Sequence, residues 1–229
     1  MLGLSGGALA SGVGEVVDNF RLTDHRGSSH ELYYHSDMKA VVLLAHGVGC
    51  KASADAARAL DALRPKYQNV TFLFVNSNLP DRAGGAKPEA IAKDAQQSGI
   101  GTPILVDETQ LIGEALGLTR NGEALIVNTQ GWKVAYRGSA DQVAGALDAV
   151  IAGKPVEAST AKVAGCAIDM PERERRQAHA QISYEKSIAP VLMDKCVACH
   201  REGGIGPWQM SSYDMIRGFA PMIREVVRT

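Results

Sequence analysis

The chain has 229 residues, enough for one large domain or a medium domain with a small one. Its net charge of −1 gives no electrostatic case for nucleic acid or an anionic membrane, and 5% aromatic residues argue against a base-stacking surface. No stretch is long and apolar enough to span a bilayer.

Residues 1–13 read as a leader remnant or a flexible N-terminus. Met1 to Gly12 are small and apolar, and Ala8-Leu9-Ala10 before Ser11 has the form of a signal-peptidase site. One expectation is the tail of an export signal; a plain flexible extension is the other.

Residues 15–34 read as a β-hairpin, with Phe20 and Leu22 alternating with polar residues and a turn at Asp24-His25-Arg26-Gly27. His25, His30 and His35 are expected to be solvated. The run Ala40-Val41-Val42-Leu43-Leu44-Ala45 suits a strand buried on both faces. It ends in the Gly-rich loop His46-Gly47-Val48-Gly49-Cys50. A helix is expected over 51–67, with Ala56, Leu60 and Leu63 on one face. A second buried strand covers 70–75 and a surface loop 76–85. Pro88 opens a helix continuing over 89–97. A short strand at 104–106 and a short helix at 110–116, closed by Gly117, follow. Residues 124–127 and 132–136 form a hairpin, and 141–152 a closing amphipathic helix.

Strands mixed with alternating helices mean an α/β domain, here 14–152. Cys50 lies where a central strand hands over to a helix, which is where open α/β sheets tend to carry chemistry. A helix N-terminus lowers a thiol's pKa. Residues 153–182 change regime: Gly153, Pro155, Pro171 and the charged run 172–176 read as a linker whose charges are solvated.

The third region, 183–229, carries the most specific signal. Ser183 caps a helix over 184–195, with Ile188, Val191 and Leu192 apolar. That helix delivers Lys195-Cys196-Val197-Ala198-Cys199-His200. Cys-x-x-Cys-His is the attachment signal for a c-type haem: two thiols reach the two vinyl groups of one porphyrin, and the next residue lies beneath the iron. Cys196 and Cys199 are the thioether candidates and His200 the axial ligand. The plainer alternative is a zinc or disulfide-forming pair with an incidental histidine. After the loop 203–208, Ser212 caps a helix over 213–227 with Met215, Phe219, Met222 and Val226 in a stripe. A covalent haem would serve as most of the core of so short a segment. Covalent haem attachment occurs outside the cytoplasm, so the haem reading and the export reading of the leader support each other, and together they imply a periplasmic or otherwise exported protein.

Residues 14–152 resemble the thioredoxin fold of the redoxin group, which takes in AhpC/TSA-like peroxiredoxins and thiol-disulfide proteins. The resemblance rests on the leading hairpin, the strand ending in a Cys at a helix start, the segments FLFVNSN and ILVDE, and the hairpin WKVAYRG. With Gly165-Cys166-Ala167-Ile168 and KCVACHREGGIGPWQMSSYDMIRGFAPMIREVV, the chain is similar to bacterial exported redoxin–haem proteins. Some of these continue into a copper monooxygenase-like region, through a Met-Pro-Pro-Trp segment. The resemblance implies an α/β thioredoxin-like domain followed by a small α-helical cytochrome c-like segment. It also implies that this sequence, which stops at Thr229, is a truncated form, a gene fragment or a split subunit, and that the distal methionine comes from the continuation. Within the chain, Met210 is the freest distal candidate. Met215 and Met222 read as core, and His179 is the other nearby ligand.

The redoxin pattern is incomplete. A dithiol centre needs a Cys at position 53, which is Ser53. Peroxiredoxins place Thr or Ser three residues before the thiol and Pro seven before; here these are Gly47 and Leu43. The loop Thr119-Arg120-Asn121-Gly122-Glu123 lacks the proline that thioredoxin-like sites present opposite the thiol. Asp/Glu pairs for acid–base catalysis and phosphate-binding Gly loops do not stand out.

Four cysteines divide into the haem pair and a second pair, Cys50 and Cys166. A disulfide between these two is one expectation, structural or redox-active. Another uses His46 and Cys50 as soft ligands for copper. Three functions stay open at this point. The first is electron transfer through one covalent haem c to a redox partner protein or an adjoining oxidoreductase domain. The second is thiol-disulfide or peroxiredoxin-like catalysis by Cys50 with Cys166. The third is a degenerate redoxin that docks an adjoining oxidoreductase.

Overall fold

The computed structural model describes residues 12–79, 81, 89–156, 163–171, 173, 182–213, 215–216 and 223. Most of the leader, Pro88, His179, Met222 and most of the 213–227 stripe lie outside the described residues. The chain divides into two compact units, Met1–Arg173 and Glu174–Thr229.

The first unit is built on a five-stranded sheet in the order β5-β4-β3-β6-β7. Its strands are β3 (Ala40–Ala45), β4 (Val70–Asn76), β5 (Ile104–Val106), β6 (Glu123–Asn128) and β7 (Lys133–Ser139). β3 pairs in parallel with β4 and β4 with β5, while β6 is antiparallel to both β3 and β7. The short strands β1 (Arg21–Thr23) and β2 (Ser29–Glu31) form a separate antiparallel pair.

β3 shows why a continuous apolar run marks a central strand. All six of its residues are buried. Ala40, Val42 and Leu44 face one core, with Ala57 and Leu60 of helix α1 (Lys51–Leu63) and Val143 and Leu147 of helix α4 (Val143–Ile151). Val41, Leu43 and Ala45 face a second core, with Phe20, Leu32 and Leu116. The period-2 alternation of a strand feeds both faces from one sequence. Helix α2 (Glu89–Ser98) adds Ile91 and Ala95 to the first core, and the short helix α3 (Leu111–Ala115) precedes the loop into β6.

α1 ends earlier than its apolar pattern implies. Pro65 cannot donate a helical hydrogen bond, and residues Arg64–Lys66 tighten into a 3-10 turn. The β6–β7 hairpin turns through Gly131 and Trp132, both with positive φ, and Trp132 stacks on Tyr33 at 4.3 Å.

The three N-terminal histidines are not simply solvated. His25 is buried, its Nδ1 accepting from the Ile104 N–H. His30 Nε2 lies 2.9 Å from Asp24 Oδ2, and the Thr71 hydroxyl lies 3.2 Å from His35 Nδ1. A lone polar residue in a hairpin gives no sign in sequence that a backbone N–H of another strand will meet it.

In the second unit, a π-helical turn (Tyr184–Ile188) runs into helix α5 (Ala189–Lys195). Ser183 caps the turn, its hydroxyl accepting from the Lys186 N–H at 3.3 Å. Pro190 opens α5 with no N–H to offer, which explains why the expected single helix is divided here. Among the described residues no helix is long and apolar enough to cross a membrane.

Candidate functional site

β3 carries the chain to Ala45, and residues 46–49 turn it toward α1. Gly49, at φ +70°, makes the last bend. Cys50 is the N-cap of α1, 4% exposed, its carbonyl accepting the first helical bond from the Ala54 N–H. A disulfide joins it to Cys166, with Cα atoms 6.0 Å apart.

The segment that carries Cys166 is not a free linker. Residues 165–170 lie as a strap along the loop that enters β6. The Asn121 N–H donates to the Cys166 carbonyl at 2.8 Å, and the Ile168 N–H to the Thr119 carbonyl at 3.0 Å. Arg120 and Ala167 form an antiparallel bridge, and the Arg120 guanidinium reaches the Gly165 carbonyl at 2.9 Å. Further on, the Gln110 amide donates to the Asp169 carbonyl at 2.7 Å. Gly165 makes the approach possible, since a Cβ there would collide with the Asn121 carbonyl. The sequence signal was the Gly-Cys-x-Ile run; its extended docking had none.

Behind Cys50 lies a buried polar network that the sequence did not announce. His46 is 1% exposed. The Asn76 amide donates to its Nδ1, which leaves Nε2–H to donate to Asp94 at 3.2 Å. Asp94 also accepts from the Gly49 N–H, and Asp81 from the Val48 N–H and the Asn76 amide. The hydrogen bond from His46 holds the Asp94 carboxyl below its usual pKa, against the opposing effect of burial. Ser53, in the place of a second thiol, is fully buried and its hydroxyl accepts from the Gly47 N–H at 3.1 Å. Gly47 is needed because a Cβ would stand 2.6 Å from the Asn78 amide. Among the described residues no peptide bond is cis. As for a copper site, the Cys50 sulfur is spent in the disulfide and both His46 nitrogens have partners. Among the described residues no group of three or more His, Cys, Asp or Glu is placed to hold an ion.

In the second unit, Cys196 and Cys199 are free thiols in one turn after α5. The His200 N–H donates to the Cys196 carbonyl at 2.9 Å. His200 Nδ1 donates to the Trp208 carbonyl at 2.9 Å, which puts the ring proton on Nδ1 and leaves the Nε2 lone pair bare. The loop closes around this histidine through the Gly206 N–H to the Cys199 carbonyl and the Met210 N–H to the His200 carbonyl. So Met210 is fastened by its backbone directly to His200.

No family model matches the chain, and no curated protein matches its sequence. Solved structures do match. A hypothetical protein from Sinorhizobium meliloti is similar over 70% of this chain and 95% of its own, with 22% identity and a TM-score of 0.60. An uncharacterized conserved protein from Geobacillus kaustophilus covers 69% and 92%, with 25% identity and a TM-score of 0.58. A peroxidoxin from Mycobacterium tuberculosis covers 62% and 97%, with 17% identity and a TM-score of 0.51. The first unit has a thioredoxin-like fold. That settles the fold class expected for residues 14–152, and Cys50 sits at the strand-to-helix junction of that fold. The neighbours leave at least three-tenths of the chain uncovered, so they say nothing of a cytochrome c-like segment.

Proposed function

We propose that the chain is an exported redox protein in which a c-type haem segment moves single electrons and is joined to a thioredoxin-like domain. The observation that carries this reading is the His200–Trp208 hydrogen bond. Metal-ligating histidines donate their second ring N–H to a carbonyl or carboxylate, which fixes the ring and raises the basicity of the free nitrogen. Here that bond is in place directly after two free thiols held in one turn.

The residues present fit the group in a second respect. No residue of α5 is buried, and Val191, Met193 and Ile205 are 56%, 62% and 91% exposed. Among the described residues of this segment only Ile216 is a buried hydrophobic, which suits a segment that folds around an apolar cofactor. Cys196 and Cys199 would hold the porphyrin by thioethers, and His200 would ligate the iron through Nε2. When bound, the haem supplies a one-electron couple. The chain's part would be to hold the imidazole through the Trp208 carbonyl and to offer exposed apolar side chains such as Val191 and Met193 to the cofactor. Its partner would be a redox protein or an adjoining oxidoreductase domain.

A second reading, thiol-disulfide exchange at Cys50–Cys166, is favoured by the bond between them and by the exposure of Cys166. Peroxide reduction has no such support, because Gly47 and Leu43 stand where the polarising residues would be. A redox titration of the exported chain tests the choice. A one-electron couple followed by haem absorbance supports the leading reading, and a two-electron thiol couple alone would replace it.

A further inference from the structure

We propose that residues 165–170 are a redox latch: a dithiol donor attacks the Cys166 sulfur, Cys50 leaves as a thiolate, and the strap comes off the 119–122 edge. This rests on the thiol-disulfide reading of Cys50–Cys166 and is independent of haem.

The two ends of the disulfide are unequal. Cys50 is 4% exposed and lies under the N-terminus of a 13-residue helix, whereas Cys166 is exposed. An incoming thiolate therefore reaches the Cys166 sulfur first. The better leaving group is the thiol with the lower pKa, and a helix N-terminus stabilises the Cys50 thiolate. The direction of exchange follows from access and charge together.

The chemistry balances with a dithiol as reductant. Its first thiolate bonds to the Cys166 sulfur, the Cys50–Cys166 bond breaks, and the electron pair passes to Cys50. The donor's second thiolate then attacks its own bonded sulfur and releases Cys166. The donor ends as a disulfide, and its two protons end on Cys50 and Cys166.

The strap is built to leave once the crosslink opens. Ala164, Cys166, Ala167 and Asp169 are exposed, and Gly165, Ile168 and Met170 are only half-buried. Apart from Ile168, which packs against the second core, its hold is a handful of hydrogen bonds, and with the crosslink gone these few contacts are set against the entropy of ordering an extended segment. The edge that it vacates still bears the Asn121 and Thr119 backbone groups, with the Asn121 side-chain amide beneath them, fully buried and without a partner.

The test uses the full chain with any free Cys196 and Cys199 first blocked by N-ethylmaleimide. Glutathione is added under native conditions, the mixture is quenched in denaturant with iodoacetamide, and the cysteine peptides are mapped. The expected result is glutathione on Cys166 and carbamidomethyl on Cys50, in roughly tenfold excess over the reverse. The reverse labelling would overturn the proposal. Amide exchange is then compared before and after dithiothreitol. The Asn121 and Ile168 amides are expected to exchange at least about tenfold faster after reduction, while those of β3 stay protected. Reduction with unchanged exchange at these two amides would overturn the latch and leave the thiol reading standing. A disulfide that resists both reagents until the protein is unfolded would overturn both.

Discussion

A Cβ on Gly206 would stand 2.7 Å from Nδ1 of His200 and 2.9 Å from the Cys199 carbonyl oxygen. The glycine is thus the space into which the imidazole fits. Gly206→Ala is expected to push the ring off the Trp208 carbonyl, at a cost of about 1–3 kcal/mol, typical of overpacking. In haem-loaded protein the absorbance spectrum would change while the covalent haem stays attached. An unaltered spectrum would show that the loop does not set the ligand's orientation.

The disulfide closes a sequence separation of 116 residues. Cys166→Ser is expected to lower stability to urea by about 2–4 kcal/mol, the usual range for a native crosslink. Adding reductant should bring the wild type close to the variant and leave the variant unchanged. Equal urea midpoints for oxidised wild type and variant would mean that the crosslink constrains little.

Burial of His25, helped by the adjacent Arg26, lowers its pKa in the folded state. The unfolded chain, with an ordinary value near about 6.5, then binds more protons than the folded one just below that pH. Stability is therefore full above about pH 6.5 and falls as the pH drops toward the folded value. Burial works to raise the Asp24 carboxyl, but hydrogen bonds from His30 and from the Ser28 and Arg26 N–H groups outweigh it and hold it below its usual value. Its contribution is present above about pH 4 and is lost as the pH falls through its depressed value. Urea midpoints measured from pH 7.5 down to about 2 should decline in these two windows, and His25→Asn should make the upper decline shallower, leaving the part due to His35, whose pKa burial also lowers.

Phe74 in β4 is fully buried in the first core with Leu44, Leu60 and Ile91. Phe74→Ala should cost about 3–5 kcal/mol, from lost transfer energy and the cavity left behind. A urea titration of far-ultraviolet circular dichroism measures it directly.

The sheet was legible in the sequence because burial on both faces leaves a plain trace. Ala40–Ala45 and Val70–Asn76 are nearly continuous apolar runs, and no other element of a domain this size needs one. Cys50 was legible for the same reason, at the end of the short Gly-rich loop that follows such a run. The strap was not. Residues 165–170 have no apolar period, and Gly165 acts by lacking a side chain, which reads as linker until its neighbour Asn121 is known. The His46 network was hidden too, since Asp94 and Asp81 lie on surface-patterned segments far from it in sequence. In the second unit the Cys-x-x-Cys-His spacing was plain in the sequence, but the Trp208 carbonyl that meets His200, a backbone group, could be found only in three dimensions.

The measurement that tests the central claim most directly is a haem stain on a denaturing gel. The chain is exported in cells that carry a haem-attachment system, beside a Cys196→Ala, Cys199→Ala variant. The account predicts a stained band at the chain's mass of 24.3 kDa plus one haem, absent from the variant. An unstained band for the wild-type chain under those conditions would contradict it.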